Sequence, residues 1–197
     1  MKTKSKALLM TLCAVLLVAA SVLGTMAYLT SQDSVTNTFS IGKINITLDE
    51  AQVDADGKAQ TNVARVKANA YKLMPGHKYD KDPTVHVKKD SEDAYIFVKV
   101  ENGISAVEAE KTIAKQITTD NGWTDLPGVA NVYYKEYTKD ATQDVNLVVF
   151  KSFTVKDGAT ETELEKYQTA SITITAYAVQ KDGFADAKAA WDAAKFN

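Results

Sequence analysis

The sequence predicts a mainly β protein, a single antiparallel β-sandwich with a short mid-chain helix and a C-terminal helix. Three observations lead to this fold class. Several short segments alternate apolar with polar residues, turn dipeptides separate them, and few segments have helical spacing. Short alternating strands divided by turns are typical of antiparallel sandwiches. Because the sequence contains no internal repeat or linker, we expect residues 41–197 to form one β-sandwich domain.

The first half of this domain contributes strands. Residues 44–48 alternate Ile and Leu with polar residues, as in a strand with one solvated face. Residues 63–74 alternate less cleanly but also predict a strand, which a Pro-Gly pair ends. Residues 84–88 have the alternating pattern as well. Residues 94–100 are apolar on both faces, which places them in the centre of a sheet.

The second half brings the helices. Residues 106–118 change to helical spacing with one apolar face, which predicts the mid-chain helix. Residues 160–167 have room for one or two further helical turns. The alanine-rich C-terminus predicts a helix that docks through Phe184 and Trp191. Three more segments alternate and are predicted strands: 132–138, 145–150 and 171–179.

The N-terminus has the three parts of a secretory signal peptide, which we assign to residues 1–27. Three lysines precede an apolar run, and the small residue Ala27 ends the segment. We expect cleavage between Ala27 and Tyr28, which leaves residues 28–40 as a flexible N-terminal arm. The alternative is a retained anchor, because an apolar run of about 18 residues lies at the lower edge of what spans a bilayer.

Charge and cysteine content narrow the range of partners. Without the three lysines of the signal peptide, 20 basic residues stand against 25 acidic ones. This mild acidity argues against nucleic acid as a partner. The only cysteine, Cys13, lies within the apolar run, so the exported domain is expected to fold by burial without disulfides. The predicted location is secreted, extracellular or cell-wall associated, with membrane contact only through the uncleaved leader.

The candidate catalytic groups do not form a recognisable constellation. His77 and His86 are nine residues apart, not four as on a zinc-protease helix. We expect His86 to be a solvated strand residue. The serines lack the Gly-x-Ser-x-Gly elbow, and no glycine-rich phosphate loop precedes a helix. The sequence therefore predicts that the protein is not an enzyme and has no catalytic residues, cofactor or metal.

Other charged and aromatic clusters have ordinary structural explanations. Residues 54–57, Asp-Ala-Asp-Gly, lack the later ligands of a calcium loop, so we expect a tight turn. The charged residues within 78–82 are interpreted as a solvated loop. Tyr133 and Tyr137 fall on one face of a predicted strand and Tyr134 on the other, which favours core packing over a carbohydrate-binding surface.

Two N-terminal segments resemble a known family. Residues 25–30, Thr-Met-Ala-Tyr-Leu-Thr, and residues 37–44, Asn-Thr-Phe-Ser-Ile-Gly-Lys-Ile, are similar to the cleavage junction of exported proteins of the TasA/camelysin type. Leu29 stands where phenylalanine is commoner in the family. Further segments resemble the clostridial branch: 73–76, 81–87, 91–100, 133–135 and 174–184. The resemblance covers nearly the whole chain and is specific to the export route and the fold.

This resemblance implies a jelly-roll-like sandwich that a Gram-positive bacterium exports and a signal peptidase of the SipW type cleaves. Some family members build extracellular fibres of the biofilm matrix, in which the N-terminal segment of one subunit enters a sheet of the next. We therefore expect a structural protein, a subunit or accessory of such fibres, whose partners are copies of itself or related matrix subunits. The expected donor-strand anchors are Leu29, Val35 and Phe39.

Two other functions stay open at this stage. A cell-surface adhesin or accessory protein would need no self-assembly. A camelysin-like metalloprotease would need a metal site, and no residue of this sequence matches a catalytic role in the family.

Overall fold

Nine strands in three antiparallel sheets form the framework of residues 43–110 and 112–196, the ranges that the computed structural model describes. The strands are β1 (Ile46–Asp49), β2 (Lys78–Asp80), β3 (Thr84–Val87), β4 (Ala94–Asn102), β5 (Thr124–Asp125), β6 (Val132–Tyr137), β7 (Val145–Val148), β8 (Ser152–Thr154) and β9 (Ile172–Gln180). The helices are α1 (Thr112–Lys115), which continues as a π-helical turn (Gln116–Asp120), α2 (Glu161–Glu165) and α3 (Ala187–Ala194). The predicted mainly β sandwich with a mid-chain and a C-terminal helix is confirmed.

The sheets have the strand orders β1-β3-β7, β5-β6-β4-β9 and β2-β8. The three-stranded and four-stranded sheets share the main core, to which β3 contributes Val85 and Val87 and β4 contributes Ile96 and Val98. The small β2-β8 sheet adds Tyr79 and Phe153 to the same core. Burial of these apolar side chains is the main force that holds the two larger sheets together.

Strand β4 is central, as its two apolar faces predict. It pairs with β6 on one side and with β9 on the other. Its even-numbered side chains, such as Ile96 and Val98, enter the main core, whereas Tyr95 and Phe97 enter a second cluster on the other face of the sheet. The alternation of a strand thus supplies both clusters from one segment.

Helix α3 covers that second cluster. Asp186 caps its N-terminus by accepting a hydrogen bond from the Ala189 backbone N–H at 2.8 Å. The Trp191 ring packs edge-on against Phe97 with ring centroids 5.1 Å apart, and Phe184 also contacts the cluster. The predicted docking of a C-terminal helix through Trp191 is confirmed, whereas Phe184 packs on the same cluster from outside the helix, which begins at Ala187.

The predicted strand over residues 63–74 is wrong. In this segment Val66 alone pairs with another strand segment, through an isolated bridge to Glu50. Arg65 and Lys67, two residues apart, instead donate side-chain hydrogen bonds to the backbone of β1. The segment does alternate, but its polar side chains donate hydrogen bonds to β1, and its backbone does not form a ladder with another strand.

The mid-chain helix starts later than predicted. Residues 104–110 form turns, because Glu108 bridges to Val155 and the Ala109 N–H bonds to the Thr154 carbonyl at 2.8 Å. The Glu108 carboxylate then accepts a hydrogen bond from the Ile113 N–H at 2.6 Å, which supports the first helical turn. In this region, backbone pairing with Thr154 and Val155 therefore outweighs the preference for a helix that the spacing of apolar residues indicates.

Several predictions fall beyond the described ranges. They are the signal peptide over 1–27, the cleavage site between Ala27 and Tyr28, the arm over 28–40, and the expected donor-strand anchors Leu29, Val35 and Phe39. Among the helices of the described ranges, none combines the length and the apolar character needed to cross a bilayer.

Candidate functional site

The edge strands β1 and β9 lie on the same side of the sandwich. Strand β1 is one of the two edge strands of the three-stranded sheet, and β9 is one of the two edge strands of the four-stranded sheet. Some Cα atoms of the two strands approach within 8 Å, but no ladder of hydrogen bonds joins them. Since an edge strand carries backbone groups that can accept a further strand, this side of the molecule is the candidate site.

The direction of the β9 backbone groups follows from the register. The Val100 N–H donates to Asn131 next to β6, whereas the Gly103 N–H donates to Ser171 next to β9, both at 2.9 Å. Because such groups alternate sides along a strand, the odd-numbered residues of β4 bond to β9. The pair Lys99–Thr175 is one example.

The even-numbered residues of β9 consequently point their N–H and C=O groups away from β4. Within residues 43–110 and 112–196, no backbone group bonds to these outward groups. The residues concerned are Ile172, Ile174, Ala176, Ala178 and Gln180. They provide a row of donors and acceptors at every second residue, which is the spacing that a new antiparallel strand requires.

Strand β9 lacks the usual protection of an exposed edge. It contains no charged residue and no proline over its nine residues. Ile172, Ile174, Ala176 and Ala178 pack against the main core but remain only partly buried. Natural sheets normally guard an edge with charge, proline or a bulge. An apolar, uncharged edge of this length is therefore suited to receive another strand.

A cavity of about 1360 Å³ lies next to the start of β9. The end of β1, the start of β9, the segment 67–75 and helix α2 all contribute residues to its walls. Its apolar lining includes Leu48, Tyr71, Leu73, Leu164, Ile172 and Ile174. The main core is thus incompletely closed at this edge of the sandwich, which leaves room for apolar side chains from outside.

The edge of β1, in contrast, is covered by side chains from the segment that follows it. The Arg65 guanidinium forms ion pairs with Asp49 and with Asp82, the latter at 2.9 Å. It also donates to the Thr84 hydroxyl at 3.1 Å. The Lys67 ammonium donates to the Leu48 carbonyl. Of these contacts, the Lys67 bond to Leu48 lies on the outward edge of β1, because the odd-numbered residues of β1 turn their backbone groups toward β3. Arg65 instead spans Asp49, Asp82 and Thr84 on β1 and at the start of β3.

His86 completes the charged network on this sheet. Its Nε2 lies 2.8 Å from the Asp49 carboxylate, and its Nδ1 lies 2.6 Å from the Asn146 side-chain oxygen. Burial raises the pKa of Asp49, but the hydrogen bonds and charges of Arg65 and His86 outweigh it and hold that pKa below its usual value. His86 is on the face opposite Val85 and Val87, as expected, although it is partly buried and hydrogen-bonded rather than simply solvated.

The polar end of the cavity contains a buried ion pair. Lys81 Nζ lies 2.5 Å from Glu50 Oε2, and these side chains are only 8% and 5% exposed. Asn69 donates from Nδ2 to Glu50 Oε1 at 3.0 Å. The Lys81 ammonium also lies 5.9 Å from the Tyr71 ring centroid. Burial, followed by the negative charge of Glu50, raises the pKa of Tyr71 well above its usual value.

The interpretation of residues 78–82 as a solvated loop is therefore wrong. Residues 78–80 form strand β2, and Lys81 is buried against a partner 31 residues away. Sequence reasoning did not select Glu50 or Asn69 as site residues. The available signal was a lysine in a run of alternating charges next to a strand, and that signal is too common to be specific.

The remaining sequence candidates have structural roles. Asp54 accepts hydrogen bonds from the backbone N–H groups of Asp56 and Lys58 at 3.0 and 2.8 Å, so the predicted tight turn is confirmed. His77 bonds to the Asp56 carbonyl. In the part of the chain that the structure describes, no three His, Cys, Asp or Glu side chains form a group able to hold a metal ion. Of the three tyrosines considered for sugar binding, Tyr133 and Tyr137 are buried and Tyr134 is partly buried.

Comparisons with family models, with curated proteins and with solved structures give no match to this chain. The resemblance to TasA/camelysin proteins accordingly rests on the sequence segments described above and stays a prediction.

Proposed function

We propose that the protein is a secreted structural subunit or accessory of an extracellular matrix fibre, and that the arm over residues 28–40 of one copy adds as a strand to β9 of the next. The observation that carries this proposal is the β9 edge, whose outward backbone groups have no partner in the described ranges and whose apolar side chains border a cavity. Strand addition satisfies such backbone groups, and pockets for alternate side chains give specificity.

The arm has the chemistry that this edge requires. Leu29, Val35 and Phe39 are separated by even numbers of residues, so an extended arm places all three on one face. No proline interrupts residues 28–40, so each residue there retains a backbone N–H donor. At about 3.3 Å per residue, the stretch from Leu29 to Phe39 and the nine residues of β9 have similar lengths of about 30–36 Å.

Processing would control this assembly. In the proposed sequence of events, the leader holds the arm at the membrane until a signal peptidase of the SipW type cuts between Ala27 and Tyr28. The released arm then reaches the β9 edge of another copy or of a related matrix subunit. Secretion, location outside the cell or in the cell wall, and a Gram-positive source belong to this proposal through the family resemblance.

The test compares a purified chain that starts at Tyr28 with one that starts at Ser40. We expect the longer chain to form fibres in negative-stain electron microscopy and large species in light scattering, whereas the shorter chain stays monomeric. If both chains stay monomeric at high concentration, or both assemble equally, the arm is not a donor strand and the proposal fails.

A substitution in β9 tests the acceptor strand of the contact independently of the arm. Ala176→Pro removes one outward N–H of β9 and should abolish assembly of the longer chain, because an edge proline blocks strand addition while the ladder to β4 remains. Ala141→Pro, at an exposed position outside the strands, is the matched control and should assemble normally. Normal assembly of Ala176→Pro would show that β9 is not the acceptor.

A further inference from the structure

Three side chains from separate parts of the chain meet at one carboxylate. Glu50 follows β1, Asn69 belongs to the segment 67–75, and Lys81 follows β2. One oxygen of the Glu50 carboxylate lies 2.5 Å from Lys81 Nζ, and the other lies 3.0 Å from Asn69 Nδ2. An amine, a primary amide and a shared carboxylate are therefore held together, with the amine and the carboxylate both buried.

We propose that Lys81 and Asn69 react to form an intramolecular amide bond, with Glu50 as the proton-transfer group. Glu50 Oε2 first takes a proton from the Lys81 ammonium. The freed amine then attacks Asn69 Cγ, so that the bond from Nζ to Cγ forms and the bond from Cγ to Nδ2 breaks. Glu50 returns its proton, and the proton that the amine loses on acylation goes with it to the leaving nitrogen. One ammonium ion departs, Glu50 is again a carboxylate, and no oxidant or other co-reactant is needed.

The surroundings of Asn69 fit each part of this reaction. Its Oδ1 accepts a hydrogen bond from the Val53 backbone N–H at 3.0 Å, which would stabilise the negative charge that develops on this oxygen during attack. Its Nδ2 donates to the Ala51 carbonyl at 2.8 Å and to Glu50. The leaving nitrogen thus faces the group that supplies its proton, and the carbonyl oxygen faces a donor.

The surroundings of Lys81 restrict water. Its side chain is 8% exposed, and the ring of Tyr71 faces its ammonium group. Tyr71 packs edge-on against Phe153 at 5.1 Å, which extends the aromatic wall. A carboxylate hydrogen-bonded to an amine, with both side chains shielded from bulk solvent, is well placed to move a proton between them.

The product would suit this protein. The sequence has one cysteine, so no disulfide can form within a chain, and an amide link stabilises without redox chemistry. A buried ion pair adds little net stability by itself because both charges lose their hydration. The new bond would remove the buried cation and tie the segment 67–75, one wall of the cavity, to the turn after β2. This inference does not depend on the proposed fibre function.

The deciding measurement is a peptide map of the purified folded protein after denaturation. We expect a branched peptide that joins residue 69 to residue 81, no trypsin cleavage after Lys81, and an intact mass lower than the sequence mass by one ammonia molecule. Mass alone is insufficient, because the Asn-Gly pairs at 102–103 and 121–122 can also lose ammonia by cyclisation. Recovery of unmodified Asn69 and Lys81 in full yield would overturn the proposal.

Variants test the role of each group. Glu50→Gln and Lys81→Arg should both abolish the branched peptide and restore two separate linear peptides. Lys67→Arg is the matched control, because Lys67 lies in the same segment and bonds to the Leu48 carbonyl instead of to Glu50. It should keep the branched peptide in full yield. If Glu50→Gln retains the link, Glu50 does not transfer the proton. The wild-type map decides the existence of the bond even if a variant does not fold.

Discussion

The two edge strands beside the cavity differ in how their outward backbone groups are treated. Near its C-terminal end, the outward backbone groups of β1 are covered by the bridge between Glu50 and Val66 and by the Lys67 side chain, and Arg65 bonds to the neighbouring Asp49 carbonyl. Strand β9 has no such cover from the residues that the structure describes. An unguarded edge can pair with a strand from another chain, so this contrast supports the proposal that β9 receives a partner strand.

This contrast has an origin in the sequence near each strand. The cover of β1 comes from a segment with polar side chains at alternate positions, namely Arg65, Lys67 and Asn69, which lie within hydrogen-bonding reach of β1 and of the residues that follow it. Strand β9 ends the four-stranded sheet, and the chain after it turns to the opposite face to form helix α3. The edge of β1 is thus covered by a segment that follows it closely in the sequence, whereas the edge of β9 can be covered only by a more distant segment or by another chain.

The largest expected effect is at the guarded edge. Glu50→Ala leaves Lys81 as a buried cation without its partner and should lower the free energy of unfolding by about 3–5 kcal/mol. Urea denaturation followed by circular dichroism measures the loss. Glu161→Ala, an exposed position on α2, is the control and should change stability by less than about 0.5 kcal/mol. A loss of under about 1 kcal/mol for Glu50→Ala would mean that the pair is not buried in solution.

The next largest effect compares the N–H groups of β9 that face β4 with those that face outward. Thr175→Pro removes an N–H that bonds to β4 and should cost about 3 kcal/mol. Ala176→Pro removes an N–H that faces outward, so the monomer should lose less than about 1 kcal/mol. Thermal unfolding of the chain starting at Ser40 compares the two. Equal losses would show that the outer edge of β9 is already paired within the monomer.

A smaller effect is expected from the cover of β1. Arg65→Ala removes the charged hydrogen bonds to Asp49 and Asp82 and should cost about 1–2 kcal/mol, since the side chain is about one-third exposed and its ion pairs are screened. Arg65→Lys should recover only part of this loss because a lysine cannot reproduce the fork of hydrogen bonds. Chemical denaturation at low and high salt measures both variants. No loss of stability for Arg65→Ala would mean that Arg65 does not help to hold this segment on β1, which would leave Val66 and Lys67 as its contacts.

The smallest effect is a pH dependence of the guarded edge. The pKa of Asp49 is lowered in the folded protein, so its contribution to stability is present above the ordinary aspartate pKa and is lost as pH falls through the lower folded value. Stability measured from pH 7 down to pH 3 should therefore fall less steeply at the acid end for Asp49→Asn than for the wild type. Parallel curves for the two proteins would contradict this assignment.

Much of the fold was predictable because its signals are local. The two apolar faces of 94–100 predicted the central strand β4, and the alternation of 171–179 predicted β9. The spacing of Phe184 and Trp191 predicted how α3 docks. Each of these signals depends on the period of side chains within one segment, and that period survives folding.

The candidate site was less predictable. The segment 63–74 has strand-like alternation, but its partners decide whether the alternating residues form a ladder or donate side-chain hydrogen bonds. The ion pair of Lys81 with Glu50 spans 31 residues, and Asn69 lies 19 residues from Glu50. No local pattern relates residues at such distances, so the charged run after Gly76 had the appearance of a solvated loop.

The sequence by itself determined the longer strands, the helical C-terminus and the apolar character of β9, because these follow from composition and from the repeat of side chains along the chain. Only the tertiary structure decided that β9 is an edge, that β1 is a guarded edge, and that an amine and an amide share the Glu50 carboxylate. These properties depend on which segments become neighbours, and that is set by the packing of the two sheets across the core rather than by any one segment.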